Sequence, residues 1–334
     1  MARANGKDRA DLFRLTADRM RFHPVNIEKD FWVCWLLKQL FTIPAFEGWL
    51  VFKGGTSLSK CFNLIRRFSE DIDLAVNFEK LGFTGEKDPR QARLSHSKRQ
   101  PLLEATMRAC REYVADAFLG TLQARFKEVL DPEGEWKLRV NAADRNTVEF
   151  EYPSALEAKL DYIRPSVTLE LGTHAEPIPH GPFPIRPFVA QEFPDLFAEP
   201  TGLVTAVVAR RTFWEKATIL HAEYHRPPEK PMLPRYWRHY ADAAAMARTS
   251  VKDEALADLE LLRSVVTHKD RFYHCGWAKY QEAKPGSFHL IPRDERLPEL
   301  RRDSQAMRTM FYEGPPAFDE VLRDLDRLEH EINR

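Results

Sequence analysis

Apolar residues repeat at helical spacing near the start of the chain. In residues 26–41 the apolar positions follow helical spacing, as on the buried face of a helix. Asn26 stands before this run, where it would cap the first turn. The apolar positions are Phe31, Trp35, Leu36 and Leu40.

A glycine turn between two short apolar runs follows. The run WLVFKGG predicts a buried strand that ends at Gly54 and Gly55, and DIDLAV predicts a second strand. Between them, residues 56–65 are typical of a helix. Strand, tight turn, helix and strand together indicate the start of an α/β unit.

The middle of the chain changes from helical to strand periodicity. After a polar, basic loop over residues 82–100, apolar spacing over residues 102–130 predicts one long helix or a broken pair. Three runs, WKLRV, TVEFEY and SVTLELG, then predict strands, the last two by strict alternation. Prolines cluster between Pro177 and Pro200, which predicts an irregular connection and a domain boundary.

The last third of the chain is helical by pattern. Its helical segments are RRTFWEKATILHAEYH, PRYWRHYADAAAMA, DEALADLELLRSVV and FDEVLRDLDRLEHEIN. The sequence therefore predicts an α+β chain. A mixed sheet with flanking helices would occupy residues 1–200, and a helical domain would occupy residues 201–334.

Composition fits a globular chain with no preference for charged partners. Among 334 residues, 43% are hydrophobic, and 50 basic side chains balance 50 acidic ones. No stretch approaches the roughly 18 apolar residues of a membrane span. The four cysteines are far apart, as free thiols in a reducing compartment are. We therefore expect a cytoplasmic protein without a membrane partner.

Two aspartates carry the candidate chemistry. Asp71 and Asp73 lie two positions apart on the second predicted strand, so their side chains point to the same face. Neighbouring carboxylates repel each other and favour a shared cation. Oxygen ligands suit Mg²⁺, whose coordination is usually completed by substrate phosphates. On a strand near the surface, however, such a pair is more often two solvated acids.

The glycine turn supplies a candidate anion site beside these aspartates. Gly54 and Gly55 allow backbone N–H groups to approach a phosphate, and the hydroxyls of Thr56 and Ser57 could donate as well. The turn lacks the glycine and lysine spacing of a P-loop, which argues against that class of NTPase. An anion site next to paired carboxylates indicates phosphoryl or nucleotidyl transfer.

KGGTSLSK followed by RRFSEDIDLAV resembles the nucleotidyltransferase toxins of the AbiEii/AbiGii family, within the polymerase-β-like nucleotidyltransferase superfamily. The similarity extends to IEKDFWVCWLL, RTFWEKATILH, RHYADAAAMA and the C-terminal helical segment. One departure is the fourteen residues between Thr56 and Asp71, more than in shorter members. This spacing predicts a longer helix between them.

The resemblance implies roles for the residues around the aspartates. Asp71 and Asp73 would hold Mg²⁺, with two ions expected, and Ser69 would line the same pocket. Glu170, in VTLELG, is the candidate for a third metal-binding acid on a neighbouring strand. The nucleotide-binding residues would be Lys53, Gly54, Gly55, Thr56 and Ser57.

The resemblance also implies two roles in the helical domain, which would complete the active-site cleft. Lys216 would bind the triphosphate and Asp242 would support the site. From the residues alone, simpler interpretations stay open. Lys216 could form an exposed ion pair with Glu215, and Asp242 could be an ordinary charge on a helix rich in alanine.

The function that the resemblance implies is metal-dependent transfer of a nucleoside monophosphate from an NTP to a hydroxyl, with release of pyrophosphate. The chain would be a toxin of a toxin–antitoxin, or abortive infection, system with a cognate antitoxin partner. RNA, with the tRNA 3′ end favoured, would be the acceptor. Two alternatives stay open: a nucleotidyltransferase that modifies a protein or small molecule, and a non-catalytic nucleotide-binding module.

Overall fold

The chain folds into two compact units. The computed structural model describes residues 1–130, 135–157, 164–312 and 314–334. The first unit, here called the sheet unit, comprises Met1–Cys61, Ser69–Asp88 and Pro101–Ala206. The second, here called the helical unit, comprises Phe62–Phe68, Pro89–Gln100 and Val207–Arg334.

A mixed seven-stranded sheet organises the first unit, as the sequence predicts. Its strands, within the described residues, are β1 (Leu50–Lys53), β2 (Ile72–Val76), β3 (Lys137–Val140), β4 (Thr147–Glu151), β5 (Ser166–Gly172), β6 (His180–Ile185) and β7 (Gly202–Val207). Their order across the sheet is β3-β4-β5-β2-β1-β7-β6. β2 runs antiparallel to β1 and parallel to β5, and β7 runs parallel to β1.

Helices account for most of the remaining regular structure. In chain order, the described α-helices are α1 (Gly6–Met20), α2 (Pro24–Thr42), α3 (Gly54–Lys60), α4 (His96–Tyr113), α5 (Leu119–Val129), α6 (Phe188–Glu192), α7 (Ala209–Tyr224), α8 (Trp237–Ala247), α9 (Ser250–Leu256), α10 (Leu259–Phe272), α11 (Leu297–Ala306) and α12 (Phe318–Ile332). Among these, none is long and apolar enough to cross a membrane.

The sheet has one apolar face and one polar face near β5. Along β4, Val148 and Phe150 are buried while Glu149 and Glu151 are more exposed. The apolar side packs with α2, whose Trp32 is fully buried in the same hydrophobic cluster. This division leaves the opposite face of β2, β5 and β4 to polar side chains, which is where the candidate site lies.

The helical unit has its own apolar core. In α12 the buried positions Val321, Leu325, Leu328 and Ile332 recur at intervals of four, three and four, as one face of a helix requires. α8 packs against both α12 and α7. Large side chains, including Trp214 of α7, are fully buried here.

Several predicted elements are confirmed and others need correction. The five predicted strands correspond to β1–β5, and the predicted C-terminal segments are helical, except that DEALADLELLRSVV is divided between α9 and α10. Residues 102–130 form α4 and α5, joined by a π-helical turn at Val114–Phe118. However, α2 begins at Pro24, and the helix cap is His23, whose Nδ1 accepts the Val25 N–H, rather than Asn26.

The expected longer helix before Asp71 is wrong. α3 ends at Lys60, and the residues that follow it form an irregular segment. In this segment Asn63 has a positive φ of 51°, which is incompatible with a continuing helix. α1, α6, α11, β6 and β7 are not predicted by the pattern at all, and β6 and α6 lie within the connection predicted to be irregular. All four cysteines are free thiols, as expected. The domain division at residue 200 stays a prediction, and β7 extends to Val207.

Candidate active site

Gly54 forms a turn that only glycine can occupy here. It follows the last residue of β1 and begins α3, with a φ of +80°. A Cβ atom at this position would lie 2.0 Å from Oδ2 of Asp73, far inside van der Waals contact. The backbone of the turn therefore packs directly against the carboxylate of Asp73.

We expect Gly54→Ala to remove activity and to lower stability by about 1–3 kcal/mol, because the new side chain adds strain at positive φ and displaces Asp73. Thermal unfolding and a nucleotide-transfer assay would measure both effects. Gly120→Ala is the control, since Gly120 lies in α5 with open space around its Cβ position. The control should stay active. An active, fully stable Gly54→Ala protein would contradict this account of the turn.

Asp73 lies between two other predicted site residues in the sheet. In the strand register it is paired with Lys53 of β1 on one side and with Glu170 of β5 on the other. The Lys53 ammonium is 3.8 Å from Oδ1 of Asp73. Directly paired residues face the same side of a sheet, so the structure brings Glu170 to the same face as Asp73. Whether Glu170 binds metal stays a prediction.

Asp71 lies just before β2 rather than within it, and the hydroxyl of Thr56 holds its backbone. This hydroxyl donates to the Asp71 main-chain oxygen at 2.6 Å and lies 2.9 Å from the hydroxyl of Ser69. The Ser57 hydroxyl donates to the carbonyl of Gly54 at 2.9 Å. Both Thr56 and Ser57 are buried, so in this structure their hydroxyls stabilise the turn and position Asp71. Their predicted contact with nucleotide stays a prediction.

The surroundings of Asp71 disfavour the charged form of its carboxyl. Burial raises its pKa above the usual value, and the negative charges of Glu70 and Asp73 raise it further. The ammonium of Lys29 and a hydrogen bond with Thr168 pull the pKa partly back. The sequence pattern did not indicate Lys29 and Thr168. Lys29, on α2, is buried and forms an ion pair with Glu70.

We expect Asp71→Asn to raise the melting temperature of the metal-free protein at neutral pH. A carboxyl with a raised pKa in the folded state costs stability when it is ionised, and asparagine removes that cost. The gain should be complete above the folded pKa. It should vanish as pH falls toward the ordinary aspartate pKa, about 3.9, because Asp71 of the wild type is then protonated and uncharged in both the folded and the unfolded state. Melting curves across acidic and neutral pH would measure it; a gain that is independent of pH would contradict this explanation.

The carboxylates of Asp71 and Asp73 fit a magnesium site whose coordination is completed by the substrate. Among the described residues, no group of three or more histidine, cysteine, aspartate and glutamate side chains could hold a metal ion by itself. The crowding of negative charge on Asp71 by Glu70 and Asp73 favours a cation. Mg²⁺ commonly takes one or two carboxylates and completes its shell with water and phosphate oxygens. Asp71 and Asp73 meet that requirement.

Lys216 and Asp242 lie together in the helical unit, with a third residue that the sequence did not indicate. Arg67 donates from Nε and Nη2 to the two carboxylate oxygens of Asp242, at 2.7 and 2.8 Å. Lys216 donates to the same carboxylate at 2.6 Å. All three side chains are buried, with Asp242 only 1% exposed. Arg67 and Lys216 therefore share the carboxylate of Asp242.

The pKa values of Asp242 and Lys216 are both lowered, for different reasons. Although burial alone would raise the pKa of Asp242, the charges of Arg67 and Lys216 hold it well below its usual range. Burial lowers the pKa of Lys216; the attraction of Asp242 opposes that shift, while Arg67 adds to it. The interpretation that Lys216 forms an exposed ion pair with Glu215 is wrong. Glu215 pairs with Arg211, and Lys216 is buried and pairs with Asp242. Asp242 is likewise not an ordinary exposed charge.

Comparisons with known proteins identify a family for most of the chain. Residues 35–324 match the protein family described as Nucleotidyl transferase AbiEii toxin, Type IV TA system. No curated protein sequence matches the chain. MenT4, a nucleotidyltransferase toxin from Mycobacterium tuberculosis, is a similar solved structure, with 16% sequence identity and a TM-score of 0.43. The similarity covers 96% of this chain and 99% of that chain.

Proposed function

Since the chain belongs to the AbiEii family of nucleotidyltransferase toxins of type IV toxin–antitoxin systems, we propose that it moves a nucleoside monophosphate from an NTP to a hydroxyl of RNA, with the tRNA 3′ end favoured. An NTP substrate and an antitoxin partner follow from the family. An RNA target would place its action in the cytoplasm. The observation that carries the proposal is the packing of the Gly54 turn against Asp73, beside Lys53 and Asp71.

The proposed step is a single in-line displacement. The acceptor oxygen attacks the α-phosphorus of the NTP and forms the new phosphodiester bond. The bond from the α-phosphorus to the bridging oxygen breaks, and pyrophosphate leaves with that electron pair. The hydroxyl proton passes to a carboxylate or to water. No oxidant, reductant or further substrate is needed.

In this proposal the described residues position charge rather than form covalent bonds. Asp71 and Asp73 would hold Mg²⁺, with Glu170 as the third candidate ligand; when bound, the metal neutralises charge on the phosphate oxygens. The Gly54–Gly55 turn and Lys53 would lie against the nucleotide phosphates. Thr56 holds the backbone of Asp71, and the Ser69 hydroxyl lies beside it.

A triphosphate role for Lys216 is supported by the contact that orients its side chain. The ammonium of Lys216 is buried and donates to the carboxylate of Asp242, to which Arg67 also donates. Asp242 would hold the ammonium of Lys216 in one orientation. Asp242 would then be a positioning residue and Lys216 a binding residue.

Labelled-NTP incorporation tests the proposal against its alternatives. The purified chain would be given each of the four NTPs with Mg²⁺ and, in parallel, total tRNA, total protein, or a panel of small hydroxyl compounds. We expect label in RNA, at the 3′ end, and equimolar pyrophosphate. Label confined to protein or to small compounds would overturn the RNA acceptor while leaving nucleotidyl transfer in place. Absence of any pyrophosphate would overturn the reaction itself.

Growth provides an independent prediction. Induced expression of wild type should arrest a bacterial host, whereas the Asp71→Ala, Asp73→Ala double variant should not, because a site without its carboxylates cannot transfer nucleotide. Growth curves and immunoblots of both proteins at matched expression would measure this. RNA from arrested cells should carry added 3′ nucleotides. Arrest by the double variant at equal abundance would show that toxicity does not depend on these carboxylates.

A further inference from the structure

We infer that a depression on the polar face of β3, β4 and β5 binds the 3′ end of the single-stranded RNA acceptor; this rests on the function proposed above. The depression has a volume of about 660 Å³ and lies entirely within the sheet unit. Its lining includes Lys137, Arg139, Glu149, Arg164 and Thr168.

The order of the strands gives the direction of approach. Asp73 has β1 on one side, with Lys53 and the Gly54 turn, and β5 on the other side. In an in-line displacement, the attacking and leaving oxygens lie on opposite sides of the phosphorus. If the phosphates of the NTP lie against the turn on the β1 side, the acceptor hydroxyl must come from the β5 side. The depression lies on that side.

The depression is continuous with the carboxylates. Thr168, which lines it, also hydrogen-bonds with Asp71. In the strand register Thr168 is paired with Glu149 of β4, and Glu149 with Arg139 of β3. Adjacent strands are about 4.8 Å apart, so Arg139 lies roughly 10 Å from the strand that carries Thr168. An acceptor whose terminal hydroxyl reaches Asp71 would therefore place its preceding nucleotides over β4 and β3.

The side chains of the depression suit single-stranded RNA. The guanidinium of Arg139 is oriented by Glu149 at 3.0 Å and by Glu151 at 2.6 Å, which presents an ordered cation on an exposed strand. Lys137 and Arg164 also line the depression and are exposed, and the glutamates can accept hydrogen bonds from base amines and ribose hydroxyls. Cations that contact phosphates and acceptors that contact base amines and ribose hydroxyls are groups that bind unpaired RNA.

A charge reversal at Arg139 with a matched control tests the inference. Arg139→Glu would be compared with Arg14→Glu, because the two arginine side chains are almost equally exposed, 54% and 55%, and both form surface ion pairs. The probe is a short single-stranded oligoribonucleotide labelled at its 5′ end, and its binding would be followed by fluorescence anisotropy at several salt concentrations. NTP binding and melting temperature would be measured for both variants.

We expect Arg139→Glu to weaken RNA binding about tenfold or more and to flatten its salt dependence, with NTP binding unchanged when the variants are compared at equal folded fraction. Arg14→Glu should match wild type. In the transfer assay, Arg139→Glu should raise the KM for RNA more than it lowers kcat. Equal RNA affinity in the two variants, or loss of NTP binding in Arg139→Glu, would overturn the inference. Failure of wild type to release pyrophosphate with any acceptor would instead overturn the proposed function.

Discussion

Asp73→Ala should lower nucleotide transfer by at least about a thousandfold while the protein stays folded. Loss of a carboxylate that is shared with the metal removes several kcal/mol of transition-state stabilisation, and about 4 kcal/mol corresponds to a thousandfold in rate. Asp73 is partly exposed and its nearest charged partner, Lys53, is 3.8 Å away, so truncation leaves no buried unpaired charge. Asp71→Ala should behave in the same way.

The measurement is the initial rate of pyrophosphate release, together with the melting temperature of each variant. Asp11→Ala is the control, since Asp11 is an exposed acid on α1 in the same unit and pairs only at the surface with Arg14. It should keep full activity. Full activity of Asp71→Ala or Asp73→Ala would remove the carboxylate pair from the mechanism.

Asp242→Ala should lower the free energy of unfolding by about 3–5 kcal/mol. The substitution removes the carboxylate that the buried side chains of Arg67 and Lys216 both contact, and removal of one partner from a buried ion pair is strongly destabilising. Total stabilities of ordinary domains are about 5–15 kcal/mol, so the loss is a large fraction. Denaturant unfolding would measure it. Activity of this variant should be compared at equal folded fraction.

Lys216→Ala provides the comparison for that experiment. It leaves the two-point contact between Arg67 and Asp242 in place, so we expect a smaller loss of about 1–3 kcal/mol, close to that of one charged hydrogen bond. If Lys216 also binds triphosphate, its removal should weaken NTP binding well beyond this change in stability. An Asp242→Ala protein as stable as wild type would contradict the buried cluster.

The parts of the site that the sequence predicts are those that local pattern determines. Alternation along TVEFEY and SVTLELG predicts β4 and β5, because one face of each strand is buried. Gly54 and Asp73 are indicated by their own residue types, and the structure shows that the first must be glycine because of the second. The family resemblance adds Lys216 and Asp242, which local pattern alone would leave as surface charges.

The parts that the sequence does not predict depend on contacts distant in the chain. Arg67 is 175 positions from Asp242, and no local periodicity marks that pair. Lys29 similarly acts on Asp71 from another element. α3 is shorter than predicted because the chain turns at Asn63 and Arg67 then pairs with Phe311 as an isolated bridge. β6 contains two prolines, which make its sequence read as an irregular connection rather than a strand. β6 lies at the edge of the sheet, where a missing N–H is tolerated.

Parallel reactions with NTP labelled at the α-phosphate and at the γ-phosphate test the central claim most directly, with total RNA as acceptor. Wild type should transfer the α-label to RNA and release the γ-label in pyrophosphate, and Asp73→Ala should do neither. Transfer of the γ-label to any acceptor would show a kinase-type reaction. Undiminished α-label transfer by Asp73→Ala would contradict the assignment of this site.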